Sequence, residues 1–341
     1  MKKNAATVTG LLMFFALFIF SKEFSQGAAT GLKNSAEIIV PSLFPFMVAA
    51  SLLGDGELPL FIKKKLEPIT LRLFGQPAES IFVILIGLLG GYPSGTRAAA
   101  ALCGSGRINE CQAKALMLFC VNAGTGFCVN AVGQSLLGSK RAGVIIFASM
   151  CLSALILGFF SKPKDVTASE NNSPKSKPFS QIFVDSVASG ASGILSVCAF
   201  ATLFSGLIAV ITKFINNRNA VIALACLLEI TSGCASAAGK IPIPLIAGAC
   251  AFGGLCVHMQ VFSAADGIKP DILRFYIFRL VHAALASVIC KVLVHFFPVA
   301  VTTSLQLSQN AQVYSFSLPA ALSLLFFSSL LVLELDKQRK I

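Results

Sequence analysis

The sequence predicts an all-α polytopic membrane protein, with about eight spanning helices and two re-entrant or broken helical hairpins arranged as two inverted repeats. Three observations predict it. The 341 residues have a mean hydropathy of +0.81 and are 55% hydrophobic and 12% charged, where a soluble domain carries about 25% charge. Apolar runs near 5–24, 35–54, 79–102, 113–137, 142–160, 190–212, 219–239, 241–264, 272–297 and 314–335 are mostly long enough to span. Finally, two of these runs are broken by glycine, proline or charge at corresponding places in the two halves of the chain.

In chain order, Met1-Lys-Lys ahead of Val8–Phe20 reads as an uncleaved first helix, because no small-residue cleavage site follows it. Residues 1–34 are expected to be this transmembrane helix and a loop. The first repeat is assigned to 35–160. Its opening segment holds Glu37, Pro41 and Pro45 and should be kinked or split, since proline removes a backbone donor and clashes with the preceding turn. Phe61–Pro68, with three lysines and Arg72 beyond, reads as a basic segment on the cytoplasmic membrane surface. Residues 161–180, rich in Lys, Ser, Asn and Pro, form a cytoplasmic linker. The second repeat occupies 181–300, and 301–341 is a last transmembrane helix with a basic tail.

The break in the first repeat is Gly87–Arg97. Three glycines and Pro93, which also disfavours helical geometry at Tyr92, should unwind the backbone, and Ser94 or Thr96 can cap a second helix. Irregular backbone at membrane depth is tolerated only where protein or a watery cavity satisfies it, so such breaks mark transport sites. Arg97 beside a free helix N-terminus makes an anion pocket of Tyr92, Ser94, Gly95, Thr96 and Arg97. The competing reading is a packing kink whose arginine snorkels to the headgroups.

Leu89–Ala100 aligns with Leu227–Ala238 through a shared Ser-Gly and the small-residue helix after it, and Asn122–Asn130 aligns with Cys250–His258. Two matches in one order suggest an internal repeat. The alignment adds Ser232 and Gly233 to the site, and Glu229 as a coupling residue for a proton or cation or as a partner of Arg97. Asn122, Thr125 and Asn130 are candidates for substrate contact or for helix-to-helix glue, and His258 and Gln260 stand in the same position in the second half. Arg279 and His282 share a helix face and read as structural.

Charge distribution chooses between spanning and re-entrant breaks. With both breaks re-entrant and the N-terminus cytoplasmic, 17 lysines and arginines lie inside and 8 outside; with both spanning, the figures are 15 and 10. The re-entrant arrangement is favoured, with both termini and the linker cytoplasmic.

Other classes find little support. Gly-x-Ser-x-Gly, a P-loop and a dinucleotide fingerprint are missing, so no enzyme is expected. The eleven cysteines are mostly placed singly in apolar runs without ligand spacing, so neither metal nor cofactor is expected. The net charge of +12 lies in short clusters between apolar runs, which fits membrane topology and not nucleic-acid binding.

Pro41–Phe46, Gly91–Arg97 and Asn122–Gly126 together resemble the sporulation integral membrane proteins that carry nucleoside-recognition or "gate" domains, over about residues 35–300. The resemblance implies a transporter of a small anion, dipicolinate above all, in the outer forespore membrane. More distantly it is similar to the core of concentrative nucleoside transporters, which makes a nucleoside or ion transporter the alternative. A membrane scaffold for spore envelope assembly, transporting nothing, is the other class left open. The expected partners are thus the lipid bilayer, a small anionic substrate and a coupling proton or cation.

Overall fold

The computed structural model describes residues 2–55, 59–163 and 178–299, all within one compact unit over residues 1–304. The central linker residues 164–177 and the last apolar segment, 314–335, lie outside the described residues. Every regular element among the described residues is helical.

The chain opens with α1 (Lys2–Ile19) and α2 (Ser21–Asn34), then a π-helical stretch, Ser35–Ile39, and α3 (Val40–Asp55). The loop expected to complete residues 1–34 is therefore helix. Lys22, Glu23 and Lys33 hide it in a hydropathy reading, but Gly27 and Gly31 lie four apart on one face and let α2 approach Ser205 and Gly206 at backbone distance. The expected kink at Pro41 and Pro45 takes the form of the π-helical stretch, which ends just before Pro41. Ser42 Oγ donates to the Ile38 carbonyl at 2.6 Å there.

Next comes α4 (Leu60–Phe74), ended by Gly75 at φ +64 in a left-handed cap. It is the basic segment, and it exposes Leu60 and Phe61 beside its lysines. Lys63 is fixed by Glu79 at 2.7 Å, a bond that raises its pKa. Lys162 Nζ donates to the Arg72 carbonyl at 2.7 Å, so the end of α4 lies beside the start of the linker.

The first hairpin is α5 (Ser80–Leu89) and α6 (Ser94–Gly104). Arms of ten and eleven residues are about 15 Å long, half a hydrocarbon core. They touch tip to tip through Gly87 and Gly95, and both glycines also abut the Cys120 carbonyl. A broken helix follows: α7 (Glu110–Phe119), started by an Asn109–Gln112 capping box, then irregular backbone, then a second π-helical stretch, Gly126–Leu136. The apolar segment 113–137, which the sequence reads as broken by glycine, is interrupted here: the Asn122 amide donates to the Phe119 carbonyl at 3.0 Å, and Gly124 lets the bend close against Gly90 and Gly91. The continuous α8 (Lys140–Phe160) completes this half.

The second half repeats the order. A long helix, α9 (Phe179–Thr212), leads to a hairpin of α10 (Arg218–Leu228) and α11 (Ile230–Ala237), a broken helix of α12 (Ile243–Phe252) and α13 (Gly254–Ala264), and the continuous α14 (Ile272–Phe296). Gly253 and Gly254, at φ +87 and +79, make the break between α12 and α13. Five helical runs among the described residues are long and apolar enough to cross a membrane: Ser21–Leu53, Lys140–Phe160, Phe179–Thr212, Ile243–Ala264 and Ile272–Phe296. The chain is an integral membrane protein.

Candidate functional site

The breaks converge. The first hairpin's tip is held by the chain's own broken helix, where Thr125 Oγ1 donates to the Leu89 carbonyl at 3.2 Å and Asn122 Nδ2 to the Gly87 carbonyl at 3.4 Å. Across the halves, the Tyr92 hydroxyl donates to the Cys250 carbonyl near the end of α12, and Gly253 packs on the Tyr92 ring. Gly254 in turn lies against the carbonyls of Cys226 and Leu228, at the tip of the second hairpin.

Between the two tips lies a small cavity of about 40 Å³. Tyr92, Gly124 and Phe127 line it from the first half, Glu229, Thr231 and Gln260 from the second. Val197 and Ala201 of α9 and Leu43 of α3 close its side. Two larger cavities accompany it. One of about 340 Å³ lies between α6, α9 and the end of α13, lined by Arg97, Ala101, Gly104, Ser189, Ala264 and Asp266. The other, about 530 Å³, lies between the two π-helical stretches and includes Glu37, Thr125, Asn130 and Ser135; Ser42 belongs to both it and the central cavity.

The residues expected in one site are thus divided. Tyr92 and Glu229 reach the central cavity, Arg97 the 340 Å³ cavity, and Thr125 and Asn130 the 530 Å³ cavity. Ser94, Gly95, Thr96 and Asn122 are buried in the packing of the first hairpin; the hydroxyls of Ser94 and Thr96 and the Asn122 Oδ1 find no hydrogen-bond partner among the described residues. Ser232 turns to α9, 3.3 Å from Ser205 Oγ, and Gly233 packs on Cys226. Thr231 and Gln260, not Ser232 and Gly233, face the shared space.

Glu229 and Arg97 do not meet. The Glu229 carboxylate, 3% exposed, caps α11, accepting the N–H of Thr231 at 2.8 Å and of Ser232 at 2.7 Å. The second hairpin's helix start therefore carries its own negative charge, and it is not the anion-binding N-terminus that the sequence suggests. Arg97 packs against Gly193 of α9 and lines the 340 Å³ cavity, whereas Glu229 lines the central one with Val197 and Ala201 of the same helix. No described residue pairs with Arg97, and its Nε is buried without a partner.

A second arginine was the more consequential one for the architecture. Arg279 of α14 is completely buried and donates to the carbonyls of Leu118 and Val121, which the break after α7 leaves without helical donors. His282 Nε2 donates to the Met150 carbonyl at 3.1 Å and His258 Nε2 to the Phe252 carbonyl at 2.8 Å. All three bond main-chain carbonyls; the carbonyl partners of Arg279, some 160 positions away, left no local signal.

Comparison with known proteins adds one relative. The chain is 24% identical over 228 residues, 60% of its length, to a sporulation integral membrane protein of Bacillus subtilis (strain 168), YlbJ. The match spans 56% of that protein's length, so the chain covers little more than half of it. No family model and no solved structure matches. The similarity agrees with the sporulation membrane-protein part of the resemblance read from Gly91–Arg97 and its companion motifs. With the five apolar spans it places the chain among integral membrane proteins.

Proposed function

We propose that the protein is a transporter of a small anionic metabolite, dipicolinate during spore formation being the substrate that the family resemblance favours. The observation that carries this reading is the convergence of the two hairpin tips on one small cavity, with a larger cavity that shares Ser42 with it and another beside Arg97. Broken helices meeting at a common space suit a transport site. The halves repeat one order of elements. The base of the first hairpin lies by α4 and Ser189, near the linker end of α9, and the second hairpin follows the opposite end of α9. These placements support inverted repeats with re-entrant hairpins, the linker side being cytoplasmic. Arg97 supplies the anion chemistry, because its planar fork can take a carboxylate bidentately and no protein group competes for its buried Nε.

A second reading, a scaffold for spore envelope assembly that moves nothing, is favoured by one observation. The space between the tips is small and lined in good part by Leu43, Phe127, Val197 and Val257. Uptake of labelled dipicolinate and labelled uridine into proteoliposomes, with and without a pH gradient, separates the readings. Saturable dipicolinate uptake supports the first; uridine uptake alone gives a nucleoside transporter; no flux of either under any gradient leaves the scaffold.

A further inference from the structure

The 530 Å³ cavity has a chemistry opposite to that around Arg97. Its walls are the two π-helical stretches, Ser35–Ile39 and Gly126–Leu136, which come together here. Such stretches are rare, and each widens the helix and shifts carbonyls out of the regular ladder, which is why they recur at binding sites. Pro41, two residues beyond the first stretch, has no N–H to return to the carbonyls one turn back. The polar groups on the walls are the Glu37 carboxylate, the hydroxyls of Ser42, Thr125 and Ser135, and the Asn130 amide. Among the described residues no lysine, arginine or histidine lines the cavity, and none pairs with Glu37.

We propose that this cavity binds a small inorganic cation, with Glu37 as its charged ligand and Asn130, Thr125 and Ser135 offering neutral oxygens. Hard monovalent and divalent cations take such oxygen sets, and one carboxylate supplies the charge that makes a solvated site selective for cations over anions. An anion is disfavoured, since it would meet Glu37 with nothing to offset the repulsion. Ser42 and Thr125 tie the site to the rest of the machinery. Ser42 also lines the central cavity, and Thr125 hydrogen-bonds the Leu89 carbonyl at the tip of the first hairpin. A bound cation is therefore positioned to stabilise one arrangement of that tip. The site stands on its own cavity and does not depend on the transport reading.

The test uses the purified full chain in detergent without substrate, so that its result is independent of flux. Thermal unfolding is followed while choline chloride is replaced by sodium or potassium chloride at constant ionic strength. The melting temperature is expected to rise saturably with one of the two cations, as binding to the folded state requires. In Glu37→Gln, a change at an exposed, nearly isosteric side chain, the midpoint concentration should increase at least tenfold; in Asn130→Ala it should increase less. Glu110→Gln, an exposed acid elsewhere, should leave it unchanged. Equal melting in choline, sodium and potassium, or an unchanged midpoint in Glu37→Gln, overturns the proposal. Absence of transport in the proteoliposome assay, with the cation response intact, would remove the transport reading and leave this site in place.

Discussion

Tyr92, at the tip of the first hairpin, donates its hydroxyl hydrogen bond to the carbonyl of Cys250, 158 positions later and four residues ahead of Gly254. That carbonyl sits where α12 is about to break, so Tyr92 supplies a donor from the other half of the chain. Tyr92→Phe keeps the ring packing on Gly253 and removes only this bond. It should lower stability by about 1–3 kcal/mol, the cost of leaving a buried carbonyl unpaired. Thermal unfolding of the purified variant in detergent measures it.

The two intramembrane arginines should separate cleanly. Arg97→Gln is expected to abolish anion uptake with the melting temperature almost unchanged, because its Nε bonds nothing among the described residues. Arg97→Lys should retain part of the activity, keeping the charge without the fork. Arg279→Gln strips Leu118 and Val121 of their donors and should cost about 3 kcal/mol or more in stability. Paired flux and unfolding measurements check the contrast; an Arg97→Gln protein with wild-type uptake places the anion elsewhere.

Glu229 is a helix cap and should behave as one. Glu229→Gln retains only one acceptor oxygen for two N–H groups and is expected to cost about 1 kcal/mol. Combined with Arg97→Gln the effects should add, with a coupling below about 0.5 kcal/mol, because the two residues line separate cavities and share no described hydrogen-bond partner. A double-mutant cycle on unfolding temperature decides; a large coupling would mean that the two charges meet in another state.

Much of this was legible in the sequence, and what was missed shares a cause. Glycine and proline act on the backbone where they stand, so the hairpin at Gly87–Arg97 and the kink at Pro41 could be read directly. Partner choice is a long-range matter. Glu229 looked like a charge in need of an arginine because glutamate is not a favoured cap, yet the amides two and three residues ahead satisfy it. Ser232-Gly233 matched Ser94-Gly95 in type, but the second break is a single residue long, so the same letters face different neighbours. In α2, lysines masked a helix whose signal was the spacing of Gly27 and Gly31.

Topology can be checked at the ends of α8, which at 21 residues is about 31 Å long. On a cysteine-free background, Lys140→Cys should react with an impermeant thiol reagent added outside, and Lys162→Cys only after permeabilisation. The reverse pattern would invert the proposed orientation.

Glycine substitutions should sort by what lies opposite. A Cβ at Gly95 would collide with the Cys120 carbonyl oxygen, whereas one at Gly104 meets no described atom within 4 Å. Gly95→Ala is expected to prevent accumulation of folded protein, and Gly104→Ala to be tolerated; fluorescence-detected size exclusion compares the two.

The contact of Gly87, Gly95 and Cys120 is main chain against main chain, with no side chain between to rotate or compress. Such a joint has no intermediate settings. The two arms of the first hairpin and the end of α7 form a single lever, and any displacement of its tip must be taken up at the ends of that lever, in the loops around 75–79 and 104–109. A displacement of Tyr92 would therefore swing this hairpin whole, and the basic helix α4, joined to it through Lys63 and Glu79, would be carried along at its base.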